Sequence, residues 1–128
     1  MKKWLVGCLL SAAVISPVQA ADQDFKLVTV ASYLHFYLLN LNACQDFHPS
    51  IRATALKAEQ SLYPLLEKLD AKTKTSIDAS VLSDIVLKRR AALNVQISEG
   101  DFTIEHCQAV IKLLDGNGLD QTLLKNLD

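Results

Sequence analysis

Four residues in this sequence have side chains that commonly bind metals or form covalent bonds, and they come in two pairs. Cys44 and His48 are four positions apart, and His106 directly precedes Cys107. Two cysteines and two histidines can bind zinc or copper, but an even pair of cysteines in an exported domain more simply forms one disulfide. Because adjacent helical residues point about 100° apart, His106 and Cys107 rarely serve one metal. We predict a Cys44–Cys107 disulfide, no metal and no cofactor.

The other candidate residues carry weaker signals. His35 lies in an apolar run, where a histidine at the edge of a core is a simpler interpretation than a haem or metal ligand. Residues 115–120 share part of the ligand spacing of a calcium loop but lack its closing glutamate, so we expect a helix end followed by Asp120 as a helix cap. The sequence holds neither a Gly-x-Ser-x-Gly nor a His-Glu-x-x-His motif. We therefore predict that the protein is not an enzyme.

The N-terminal residues have the pattern of a secretory signal peptide. Lysines at positions 2 and 3 precede an apolar run from Trp4 to Ile15, and Val18 and Ala20 are small residues at the sites that signal peptidase reads. We predict that residues 1–20 are removed after Ala20. The remaining chain is then expected in the periplasm, where disulfides persist.

Cys8 offers an alternative, because Leu5-Val6-Gly7-Cys8 is similar to the motif that precedes a lipid-modified cysteine. That signal would contain only four apolar residues before Cys8, whereas a signal needs roughly 7–15. We expect Cys8 to be removed with the signal. The apolar run is also shorter than the roughly 20 residues of a membrane span. We expect residues 21–128 to form one domain without a transmembrane segment.

Charge and composition limit the classes of partner. Removing the two N-terminal lysines leaves eleven basic and fourteen acidic residues, a net charge of −3. This balance argues against nucleic acid and anionic membranes as partners. The densest basic segment, Lys88-Arg89-Arg90, is interpreted as the solvated face of a helix rather than an anion site. A protein partner remains the leading expectation.

Apolar spacing predicts two long helices in the first half of the domain. Asp24 is a candidate cap for the first helix, and its apolar positions from Leu27 to Cys44 are spaced 3, 4, 3, 4 and 3. Other apolar residues widen this surface almost all round, so we expect the helix to be central. The second helix follows Pro49, with apolar positions spaced 4, 3, 4, 3 and 4. The apolar spacing keeps its phase across Pro64, which favours a kink in the helix over a break.

Two more helices and a short fifth are predicted in the second half. The third starts near Asp78 or Ser80, and Asp101 or Thr103 caps the fourth. Gly116 is placed for a left-handed helix end. Leucines between positions 119 and 127 then predict a short fifth helix folded back on the others.

These elements predict an all-α fold, an up-down-up-down four-helix bundle with a short C-terminal fifth helix. In that topology the first helix ends where the fourth begins. Cys44 and Cys107 then meet at one end of the bundle, within reach of the disulfide geometry. The predicted topology and the predicted disulfide thus agree.

The first helix is apolar on more sides than four small helices can cover. Its excess row is the candidate binding face: Val28, Ala31, His35, Leu38 and Leu39. We expect the C-terminal segment 119–127 to lie over this row. If it stays open, the row is an interaction surface or a homodimer interface.

The segment Cys44-Gln45-Asp46-Phe47-His48-Pro49, followed by a long helix and the late Cys107, resembles a group of small exported bacterial helical proteins with a Cys-x4-Pro motif and one disulfide, whose function is unknown. The chain is also similar in size and layout to periplasmic immunity proteins that block toxins. The expected function is a protein-binding module of the immunity, inhibitor or envelope-chaperone type. The alternative is a small metal- or ligand-binding protein that uses the cysteine–histidine end.

Overall fold

The computed structural model describes residues 17–128, and within this range the secondary structure is entirely helical. The predicted signal residues 1–16, including Cys8, lie outside this range. The predicted all-α class is confirmed. The elements, in chain order, are α1 (Pro17–Phe47), a 3₁₀ turn (Pro49–Ile51), α2 (Arg52–Thr73), α3 (Ala79–Ser98), α4 (Ile104–Asp115), α5 (Gln121–Leu124) and a second 3₁₀ turn (Lys125–Leu127).

The central element is α1, which packs against α2, α3, α4 and the C-terminal segment. Its predicted apolar seam contributes to the core, where the side chains of Val30, Leu34 and Leu41 are fully buried. Such a helix is buried on several sides because apolar residues occupy most of its circumference. Its start differs from the prediction, because α1 begins at Pro17 and Asp24 lies inside it rather than at its cap. The predicted cleavage point after Ala20 therefore falls within α1.

The turn between α1 and α2 forms where the sequence places Pro49. Proline at the first position of the 3₁₀ turn lacks an N–H, which a helix start leaves unpaired in any case. Further along, α2 runs without a break through Pro64, so the less favoured alternative, a break with a restart, does not occur. Beside it, the Glu59 carboxylate accepts hydrogen bonds from Asn42 and Gln45 of α1, at 2.9 and 2.7 Å. Arg52 Nε, at the start of α2, donates to the Gln45 carbonyl oxygen at 3.1 Å, so later positions of α2 lie beside earlier positions of α1 and the two helices are antiparallel.

Side-chain contacts define the direction of the other two long helices relative to α1. His35 and Leu38 share a groove with residues 82–86, while Leu39 and Ala43 lie near residues 90–97, so α3 runs parallel to α1. His106, at the start of α4, contacts Asn40 near the end of α1, so α4 runs antiparallel. The predicted up-down-up-down order is confirmed. The bundle is not a square, because α3 packs chiefly against α1.

The connection from α4 to the C-terminal segment contains one correction. Gly116 has a φ of −86°, and Asn117, with a φ of 56°, takes the left-handed conformation instead. Asparagine tolerates this conformation better than most residues. Gly118 is required for a different reason: a Cβ there would lie 2.8 Å from the Leu113 carbonyl oxygen. Asp120 then caps α5 as predicted, accepting a hydrogen bond from the Leu123 amide at 3.0 Å.

Candidate functional site

Cys44 and Cys107 form the predicted disulfide, with their Cα atoms 5.8 Å apart. Cys44 lies in the last turns of α1 and Cys107 in the first turn of α4. Both side chains are fully buried. The bond therefore joins two adjacent helices at one end of the bundle, as the predicted topology requires, and the prediction of this pair is confirmed.

Two histidines flank the disulfide and each is held by a hydrogen bond. His48 Nε2 donates to the Phe102 carbonyl oxygen at 3.0 Å, and its ring stacks on the Phe102 ring. His106 Nε2 donates to Asn40 Oδ1 at 2.7 Å, while Asn40 Nδ2 donates to the Phe36 carbonyl oxygen at 2.8 Å. Burial lowers the pKa of His106 below its ordinary value, because a low-polarity environment disfavours the imidazolium. Both histidine rings are therefore hydrogen-bonded to other groups of the bundle.

The alternative metal site at this end is not favoured by the structure. Cys44, His48, His106 and Cys107 do lie at one end, as that hypothesis needs. However, the two sulfurs are bonded to each other, and a metal would require thiolates. Across residues 17–128, no three His, Cys, Asp or Glu side chains are grouped so that they could hold a metal ion. The geometry is that of a structural crosslink.

The predicted binding face on α1 lies between α2 and α3. Ala31 is fully buried, and the other four residues of the face are half-buried. His35 and Leu38 line a groove of about 320 Å³ whose other walls come from α2 and α3. The prediction that the C-terminal segment covers this row is therefore wrong. The helix α3 occupies that side of α1, which the apolar pattern of α1 alone could not reveal.

The C-terminal segment packs elsewhere on α1 and α2. The Asp120 amide donates to the Tyr33 hydroxyl at 2.8 Å, and the Leu124 and Leu127 side chains are buried. Lys72 Nζ donates to the Asp128 carbonyl oxygen at 2.8 Å, which holds the segment along α2. The predicted short fifth helix is present, and it covers a different part of the core from the one expected.

Exposed apolar residues with a regular helical spacing lie on α3. Only Leu93 is buried in this helix, while Leu87 and Val95 are 62% and 53% exposed. Leu87, Ala91 and Val95 are four positions apart and form one row on the side facing away from α1, which we call the outer row. Sequence reasoning missed this row. The available signal was that Leu87 and Val95 lie outside the two rows that helical spacing favours for the core, one with Val81, Ile85 and Ala92 and the other with Leu82, Val86, Leu93 and Ile97.

The basic triplet in α3 is divided by the fold. Arg89 faces α1, where its Nε donates to the carbonyl oxygen and the hydroxyl of Ser32 at 3.1 and 2.8 Å. Its guanidinium also lies over the Phe36 ring, 5.5 Å from the centroid. Lys88 pairs with Asp84 at 3.1 Å, and Arg90 is exposed. The interpretation as a solvated face therefore fails for Arg89, which attaches α3 to the core.

One segment of the described residues, Gln23–Phe47, is long and apolar enough to cross a membrane, with a mean hydropathy of 1.2. The central helix of a folded bundle meets the same criterion, and this segment carries the core residues Val30, Leu34 and Leu41.

Comparisons with protein-family models, curated proteins and solved structures gave no match.

Proposed function

We propose that the protein is an exported, non-enzymatic module of the bacterial periplasm that binds another protein through the outer row of α3. The supporting observation is the exposure of Leu87 and Val95, 62% and 53%, on a helix that buries only Leu93. A helix that buries so little of its apolar surface gains less stability from burial than its composition permits. A protein partner on the outer row would bury the remainder.

The charges beside the outer row favour a particular partner surface. Lys88 and Arg90 flank Leu87, and Arg90 is exposed. A second copy of the chain docked on this row by a twofold axis would bring these basic residues towards their own counterparts, which disfavours the homodimer. The complementary partner has an apolar patch with acidic residues at its rim. An inhibitor would bind such a patch on a folded toxin, and an envelope chaperone would bind it on an incompletely folded chain.

The histidines near the disulfide support a binding role over a catalytic one. His48 and His106 each use Nε2 in a hydrogen bond within the bundle. Among the described residues, these histidine nitrogens are bonded to a backbone carbonyl and to an asparagine, and Cys44 and Cys107 are in the disulfide. These interactions stabilise the end of the bundle and need no substrate to explain them.

The binding proposal is tested by affinity capture from envelope extracts with three forms of the protein. The wild type, Leu87→Asp and the control Leu56→Asp, which changes an apolar residue of α2 that is 40% exposed, are used as bait. We expect a partner that is retained by the wild type and by Leu56→Asp but lost with Leu87→Asp. The captured protein is then purified and titrated against all three forms. Equal binding by the three forms, or no specific partner, would contradict the proposal.

Export is tested separately by intact-mass analysis of protein from the periplasmic fraction. We expect an N-terminus at Ala21, because Val18 and Ala20 satisfy the cleavage site. Substitution of Ala20 by Arg should block cleavage and leave the precursor in the membrane fraction. A lipid on Cys8, or full-length protein in the cytoplasm, would contradict the soluble periplasmic assignment.

A further inference from the structure

The groove between α1, α2 and α3 has both the size and the polar groups of a small-ligand site, and it is separate from the outer row. Its volume of about 320 Å³ falls at the lower end of the range for small-molecule pockets. Its walls are mainly leucine and valine side chains, including Leu38, Leu66 and Leu82. The polar residues that line it are His35, Asp70, Thr73 and Ser83.

The hydrogen bonds of these polar groups define what they offer to a ligand. His35 Nδ1 donates to the Ala31 carbonyl oxygen at 2.7 Å, so in the neutral ring Nε2 carries the lone pair. Thr73 is buried, with 1% of its surface exposed. Its hydroxyl donates to the Leu69 carbonyl oxygen at 2.9 Å, so the hydroxyl oxygen still has a lone pair that can accept. Because Thr73 is buried and His35 is half-buried, the acceptor that a ligand at the lip could reach is His35 Nε2.

Asp70 adds a negative charge to the same groove. The Asp70 carboxylate takes part in neither the Lys68–Asp128 nor the Lys88–Asp84 ion pair. No lysine or arginine of the described residues lines the groove, and the His35 ring is hydrogen-bonded to the backbone through Nδ1. A ligand carboxylate would face this negative charge, whereas a ligand ammonium would be attracted to it.

We propose that this groove binds a small primary amine with an apolar tail. The tail would pack against the leucine and valine walls, and burial of each methylene favours binding. The ammonium would lie at the lip, where Asp70 supplies the opposite charge and His35 Nε2 accepts a hydrogen bond. This proposal does not depend on the protein-binding role of the outer row, which lies on the opposite side of α3.

The test compares three probes with the same tail: n-hexylamine, 1-hexanol and hexanoate. Binding to the full protein is followed at pH 7 by chemical shifts of backbone amides and by titration calorimetry. We expect hexylamine to bind roughly three- to tenfold more tightly than hexanoate, since an exposed carboxylate contributes modestly to an ion pair. The largest shifts should lie at Leu38, Asp70 and Leu82.

Two pairs of variants locate the site. Asp70→Asn should reduce the preference for hexylamine over hexanoate, while Asp115→Asn, which makes the same change of charge on α4, should leave it unaltered. Ser83→Phe places a ring in the groove from an exposed position and should abolish binding, whereas Ser98→Phe, on the same helix outside the groove, should not.

Several results would overturn the proposal. Equal affinity for the three probes would exclude an amine site, and tighter binding of hexanoate would reverse the assigned ligand class. Shifts centred on Phe47 and Phe102, or no saturable binding of hexylamine, would exclude the groove. None of these outcomes affects the test of the outer row, which measures a protein partner.

Discussion

The disulfide end of the bundle and the α3 side differ in how many of their groups already have partners. At the disulfide end, Cys44 is bonded to Cys107, and His48 and His106 donate to oxygens of the same chain. Along α3, Leu87 and Val95 face solvent, and a groove remains between the helix and α1. The disulfide end is thus closed by bonds within the chain, whereas the α3 side keeps apolar side chains exposed, which is the surface proposed above for a partner.

The difference has a simple physical origin in the neighbours of each helix. The helices α1, α2 and α4 pack against one another in all three pairs, and a disulfide adds a covalent link. In contrast, α3 packs chiefly on α1, and Arg89 supplies its hydrogen bonds to that helix. A helix with few buried contacts opens more readily than the rest of a fold.

The largest expected effect comes from removing the disulfide. Replacing Cys44 and Cys107 together with Ala should lower the free energy of unfolding by roughly 2–4 kcal/mol, because the crosslink restricts a long loop in the unfolded chain. The far-ultraviolet circular dichroism spectrum should stay helical. Urea titration of oxidised wild type and the double variant measures the change. Equal midpoints would show that packing alone holds this end.

A smaller effect is expected at the connection that directs the C-terminal segment onto α1 and α2. Gly118→Ala should destabilise the protein by about 1–3 kcal/mol, because the new Cβ meets the backbone of Leu113. Gly116→Ala is the matched control, since its φ is ordinary and the nearest atom is 3.4 Å away. Thermal melts of both variants provide the comparison. Equal losses would contradict the steric argument.

Arg89→Ala should loosen α3 while the disulfide end stays intact. The variant loses the hydrogen bonds to Ser32 and the contact with the Phe36 ring, which together contribute about 1–2 kcal/mol. Native-state hydrogen exchange should accelerate in α3 more than in α4. Arg90→Ala, an exposed neighbour, is the control. Uniform acceleration in all helices would mean that α3 is not a separate unit.

The smallest effect concerns pH. Burial lowers the pKa of His106 in the folded state, so the unfolded chain binds the proton more readily. Stability from this residue is complete above its ordinary pKa of 6.5 and decreases as the pH falls towards the lowered folded value. Urea midpoints should therefore drop between pH 7.5 and 5.5, and less so in His106→Gln. Identical slopes in the two proteins would contradict this assignment.

The sequence by itself determined the helical class, the order of the long helices and the disulfide pair. Each depends on local spacing: the seam from Leu27 to Cys44, the proline at position 49 and the caps Thr103 and Asp120 are readable because helical periodicity and capping are short-range effects. The disulfide pair could be predicted because the order of the helices places Cys44 and Cys107 at the same end of the bundle.

Only the tertiary structure decided which sides of α1 each neighbour covers. The seam of α1 shows that several sides are apolar, but the placement of α3 over the His35 side and of the C-terminal segment near Tyr33 depends on contacts distant in sequence. The same holds for Arg89, which appeared to belong to a solvated triplet until Ser32 and Phe36 were brought beside it. Packing between helices selects among faces that local spacing leaves equivalent, and this selection created both the groove and the outer row.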